Sequence, residues 1–198
     1  MMDWDKYFLQ IAREVGKQSK CYSRQIGVVL VRDKSIISTG YNGPPRGIPH
    51  CEERSKQAIC PRRVEGYKSG NGLHICVAAH AELNAILNAA RMGICTKDTI
   101  LYCYCGIPCK NCLIALINAG IEEIVCANMD YYDDLSPFLL ANSDIQVRVM
   151  TVEDKFTLKE ETPPIYFEID DGYQTRRHGS PTHLLHVVPN RREDGRFV

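Results

Sequence analysis

The sequence predicts a three-layer α/β domain built on a five-stranded sheet. Two observations carry this. Short β-branched runs alternate with alanine- and leucine-rich segments from Ser35 to Met150. Glycine or proline stands at the junctions, at Gly93, Pro108 and Gly120.

The elements follow in order. Asp3 is placed to cap a first helix, and Trp4, Tyr7, Phe8, Ile11, Ala12 and Val15 follow at helical spacing. Residues 26–31 (IGVVLV) and 35–39 read as two strands, joined by a turn at Arg32, Asp33 and Lys34. Residues 78–92 have the content of a buried helix. A strand over 99–104, a helix over 108–119, a strand over 121–126, a short helix over 135–141 and a last strand over 145–150 complete the series. Helices between successive strands predict a mostly parallel sheet opened by a hairpin.

Two segments fall outside this series. Residues 40–73 are polar and rich in glycine and proline, too long for a simple connection. We read about 44–73 as an insertion in a domain spanning 1–150. Residues 151–198 are rich in proline, charge and histidine, and form a C-terminal extension.

Composition narrows the function. The chain has 198 residues and a formal net charge of zero, which disfavours a large basic surface for nucleic acid. No apolar run has the length of a membrane span, and the first residues, MMDWDKYFLQ, lack a secretory pattern. A cytoplasmic protein with no membrane partner is expected. Disulfides are rare there, so ten cysteines point to metal ligation, with some left as buried thiols.

His80 and Glu82 (H-A-E) open one predicted helix. Cys109 and Cys112 (P-C-K-N-C) open another, behind Pro108. H-x-E followed by P-C-x-x-C is the signature of zinc nucleobase deaminases. Three ligands leave a zinc ion one open position, as catalysis requires. Cys109 and Cys112 lie one turn apart on one helical face, and helix N-termini favour thiolates. Singly, each residue reads more simply as structural or solvated. Their joint order and placement favour a catalytic site.

Beyond this motif, "SKCYSRQIGVVL", "IISTGYNGPPRGIPHCEE", "HAELNAILNAARMG", "PCKNCLIALINAGIEEIV" and "MDYYDD" occur in an order that resembles the deoxycytidylate (dCMP) deaminases of the cytidine deaminase superfamily. The resemblance implies a cytidine deaminase-like α/β/α fold with a five-stranded mixed sheet. It implies hydrolysis of dCMP to dUMP and ammonia for thymidylate synthesis. Zinc would be held by His80, Cys109 and Cys112, with Glu82 as proton carrier. A hexamer is implied, with activation by dCTP, inhibition by dTTP and Mg beside the triphosphate effector.

Asn42 and Tyr132 match substrate-binding positions, with Tyr131 a rival for the latter. Lys20, Ser23 and Arg24 offer donors to a 5′-phosphate. Cys21, Cys51, Cys60 and His74 match a second, structural zinc site, with Cys76 an alternative to Cys60. Cys103 and Cys105 should share one strand face, and family members usually carry threonine where Cys105 stands. His178, His183 and His186 are assigned no metal. The competing functions are deamination of a related nucleotide such as dCTP, and a non-catalytic nucleotide-binding module. The intact Glu82 argues against the second.

Overall fold

Alternate residues of a strand point to opposite faces, and strands covered on both sides bury both sets. In β1 (Gly27–Arg32), Val28 and Leu30 enter one core while Val29 and Val31 enter the other. In β3 (Thr99–Cys103), Leu101 and Cys103 go one way and Tyr102 the other. The first core lies under α4 (Ala81–Arg91), α5 (Lys110–Asn118) and α6 (Ser136–Ala141), through Ala81, Ala85, Leu113, Leu116 and Leu140. The second lies under α1 (Trp4–Gly16), through Phe8, Leu9 and Ala12. The three layers are therefore as expected. The structure is a computed structural model and describes residues 3–54, 60–68, 70–153 and 157–160.

The sheet order is β2-β1-β3-β4-β5-β6, with β2 at Ser35–Tyr41, β4 at Ile121–Cys126, β5 at Gln146–Glu153 and β6 at Thr157–Glu160. Strand β1 pairs antiparallel with both β2 and β3, whereas β3–β4 and β4–β5 are parallel. This corrects the mostly parallel expectation. The crossover through α4 passes over β1, so β1 separates two strands that run the same way. The five expected strands are all present. A sixth, β6, pairs antiparallel with β5 inside the segment read as an extension. The rest of that extension, with His178, His183 and His186, lies outside the described residues.

Local chemistry sets the boundaries. Asp3 caps α1, its Oδ1 accepting from Lys6 N at 3.1 Å. Helix α4 starts three residues later than predicted because the backbones of Gly43 and Ala79 pair with each other first. The insertion holds two one-turn helices, α2 (Cys51–Arg54) and α3 (Pro61–Val64), and a 3-10 turn at Leu73–Ile75.

Gly40 fixes α4 against the sheet. A Cβ there would lie 2.2 Å from Ala81 O and 2.4 Å from Ala85 N. Hydrogen bonds complete the seam: Ser38 Oγ to Ala85 O at 2.7 Å, Asn84 Nδ2 to Tyr41 O at 2.8 Å and Asn88 Nδ2 to Thr39 O at 2.9 Å. The two asparagines, one turn apart, also occupy carbonyls of an edge strand.

Across the sheet, Arg148 of β5 reaches Asp5 of α1 and Glu123 of β4, while Tyr102 Oη donates to Asp5 Oδ1 at 2.7 Å. Burial would raise the Asp5 pKa, but the hydrogen bonds from Arg148 and Tyr102 hold it below the usual carboxylate range. A depressed carboxylate contributes stability above its unfolded pKa and loses it as pH falls through the folded value. Arg148→Ala should cost roughly 2 kcal/mol at neutral pH, a fall in thermal midpoint of about 4–8 °C. The gap from the parent should narrow below about pH 4. Thermal melts of both proteins across pH test this; a gap that widens on acidification would rule out the clamp.

Candidate active site

Helices α4 and α5 start beside each other at the C-terminal ends of β2 and β3. His80 is the N-cap of α4 and Cys109 the N-cap of α5, both in extended backbone. Neither side chain caps its own helix, so each is left to face the other. Cys112 follows in the first turn of α5. Pro108 therefore sits just before the cap, not inside the helix as predicted. Its effect is to hold the chain extended where Cys109 turns inward. His80 Nδ1 lies 3.4 Å from Cys109 Sγ and 3.4 Å from Cys112 Sγ.

This set is electrostatically primed. The Cys109 thiol is pulled down to about 4, chiefly by a hydrogen bond from Cys112 and also by His80. Cys112, which shares that contact, is pushed up. His80 is raised by its hydrogen bond to Cys109, against the opposing effect of burial. The ligand atoms of Cys109, Cys112 and His80 thus crowd together, within 4.8 Å of one another. A divalent cation would relieve that crowding. Sulfur and imidazole donors are those zinc prefers.

Glu82 stands beside them in the first turn of α4, only 5% exposed, its pKa raised by burial. Its carboxylate, Cys103 Sγ and Cys105 Sγ also lie within 4.8 Å of one another. The two thiols are 3.1 Å apart, so they share a face as expected. Cys103 is buried in the core, whereas Cys105 lines the cavity and is not one of the ligands gathered around His80. None of the ten cysteines is paired in a disulfide.

A cleft of about 160 Å³ opens above His80, Glu82 and Cys109. Ser23, Arg24, Asn42 and Tyr132 line it, as does Tyr131. The Tyr132 ring meets the His80 imidazole edge-on at 6.1 Å. Asn42 is largely committed to the backbone: Oδ1 accepts from Ile26 N at 2.8 Å and Nδ2 donates to Arg24 O at 2.9 Å. It braces the loop bearing Ser23 and Arg24, and its second amide N–H has no partner among the described residues.

One expectation needs correction. Lys20 does not join Ser23 and Arg24 at the cleft; its ammonium lies 3.6 Å from Glu53, drawn to the insertion. Cys21, Cys51, Cys60 and His74, the residues proposed for a second zinc, are spread over the insertion and the cleft wall. Among the described residues, no three of them, with or without Cys76, place ligand atoms within 4.8 Å of one another. Cys60 is buried at the start of α3, Cys21 and Cys76 line the cleft, and His74 packs edge-on against Tyr67 at 5.8 Å. The sequence reading also passed over Arg62, a buried cation in the cleft wall. Its only signal was an arginine just behind a helix-starting proline.

A His-Cys-Cys donor set at two helix starts, with a buried carboxylate beside it, defines a zinc-hydrolase type of site on an α/β/α sandwich. The comparisons narrow this. The model of the cytidine and deoxycytidylate deaminase zinc-binding region matches residues 2–128, and the chain belongs to that family. It is 38% identical over 145 residues to a deoxycytidylate deaminase of Schizosaccharomyces pombe, covering 73% of this chain and 43% of that one. It is 35% identical over 131 residues to a deoxycytidylate deaminase of Mycobacterium phage D29, covering 62% and 93%. The chain spans under half the length of the two yeast relatives it matches. The fold matches a dCMP deaminase of cyanophage S-TIM5, crystallised with dCMP and dUMP, at a TM-score of 0.59 and 21% identity, covering 76% of this chain and all of that one.

The protein should carry zinc on His80, Cys109 and Cys112. Elemental analysis of purified protein should give one zinc for this set and a second where the insertion closes around its own ion, and Cys109→Ala should lower the affinity of the first at least about 100-fold. A second equivalent retained by Cys109→Ala would mean that the insertion closes around its own ion.

Proposed function

We propose that the chain deaminates dCMP hydrolytically to dUMP and ammonia, supplying dUMP for thymidylate synthesis. The observation that carries this is Glu82, buried beside a zinc-type donor set on the floor of an open cleft. The relatives named deoxycytidylate deaminase support the choice of substrate.

His80, Cys109 and Cys112 would hold the ion, which when bound supplies Lewis acidity and brings the pKa of water toward neutrality. Glu82 moves the protons. It takes one from the attacking water and delivers it to N3 of the cytosine ring, and it later protonates the amino group leaving C4. Burial, which raises its pKa, suits a carboxyl that must hold a proton between these steps. Tyr132 closes the cleft beside His80, and Ser23, Arg24 and the second amide N–H of Asn42 supply contacts to the nucleotide.

The same resemblance extends the proposal to activation by dCTP, inhibition by dTTP, Mg accompanying the triphosphate, and a hexamer. Residues 1–150 are proposed as the deaminase domain and 151–198 as its extension. Ten cysteines outside any disulfide fit a cytoplasmic location.

Glu82→Gln should retain zinc and lose turnover of dCMP by about 1,000-fold. Parallel assays on dCMP, dCTP and cytidine, with and without dCTP and dTTP, test substrate and regulation together. Near-parent turnover by Glu82→Gln would remove the assignment of the proton carrier. Inactivity of the zinc-loaded parent on all three substrates would favour a binding module.

A further inference from the structure

We propose that Arg62, carried by the insertion, binds the 5′-phosphate of the substrate and makes the site select a nucleotide over a nucleoside. This rests on the deaminase reading above. Arg62 is only 7% exposed yet lines the same cleft as His80 and Glu82. A guanidinium stays charged at any pH the protein meets, and burying it without a counter-charge is costly. No carboxylate of the described residues lies within ion-pair distance of it.

Its hydrogen bonds show what it is arranged for. Nε donates to Asn71 O, and Nη2 donates to Lys68 O at 3.2 Å. Both acceptors are backbone carbonyls of the insertion, so one edge of the guanidinium is locked in place. Nη1 has no partner among the described residues. No buried side-chain nitrogen or oxygen is left without a partner there either. Nη1 is therefore not sealed in the interior, and Arg62 lines the cleft. The Arg62 charge acts on both His80 and Tyr132, and the Arg24 charge acts on Tyr132 as well. Two cations thus act on a tyrosine whose ring meets His80 edge-on. Gly70 of the same insertion packs on that tyrosine, since a Cβ there would lie 3.3 Å from Tyr132 Oη.

A pre-positioned guanidinium in a cleft wall, with donors to spare, calls for an oxyanion. Glu82 and Asp130 share the cleft but make no ion pair with it, which leaves the anion to the ligand. For a cytosine nucleotide that group is the phosphate.

The test compares kcat/KM for dCMP and deoxycytidine in zinc-loaded parent, Arg62→Gln and Arg62→Lys. Arg62→Gln should lower the dCMP-to-deoxycytidine ratio about 100-fold, and Arg62→Lys about tenfold. Equal losses on both substrates would show that Arg62 only braces the insertion, and would overturn the proposal. Should Arg62→Gln fail to fold, Arg62→Lys reads the same ratio. Should the parent turn over neither substrate, the deaminase reading fails by itself. Calorimetric binding of dCMP and deoxycytidine to parent and Arg62→Lys then reads the phosphate preference, and an unchanged preference overturns it.

Discussion

The site depends on how closely α4 can approach β2. Gly40 sets that distance, because any side chain there would strike the backbone of Ala81 and Ala85. His80 and Glu82 lie at the very start of α4, so their position follows from this contact. Asn84, Asn88 and Ser38 hold the seam along its length. The other half of the donor set comes on α5, whose start is fixed by the end of β3. Two independent helix–sheet contacts therefore meet at one point. A small displacement of either would separate His80 from the thiols.

The electrostatics follow from that convergence. Helix starts carry partial positive charge and favour thiolates, which helps a cysteine ionise before any cation arrives. Glu82 lies in the first turn of α4, but burial dominates its environment and raises its pKa. Groups at the starts of two adjacent helices are thus driven in opposite directions. Cys109 is readied as a ligand, and Glu82 as a proton carrier.

Much of this was legible in the sequence because it rests on local rules. Strand alternation, the Asp3 cap and the glycine and proline stops depend on near neighbours, and the predicted elements match the observed ones within a few residues. His80, Glu82, Cys109 and Cys112 were legible because they form a spaced pattern at predicted helix starts. What remained hidden depends on long-range placement. Nothing in β1 alone says that it inserts between β2 and β3. Lys20 and Arg62 are both basic residues in polar stretches and look alike in sequence. Tertiary contacts send one to Glu53 and the other into the cleft wall.

The central place of β1 also bears on how the chain can change length. Val29 pairs with Tyr102 across the whole insertion, so that pairing closes a long loop however the insertion is built. The entropy of closing a loop grows only with the logarithm of its length, by about 0.6 kcal/mol per doubling. Lengthening or shortening the insertion therefore costs the sheet little, while it rebuilds one wall of the cleft. The helix starts that hold the reactive groups belong to the sheet and stay where they are. The architecture separates a part that can be redrawn cheaply from a part that cannot, and so leaves ligand preference free to vary while the chemistry is conserved by the fold.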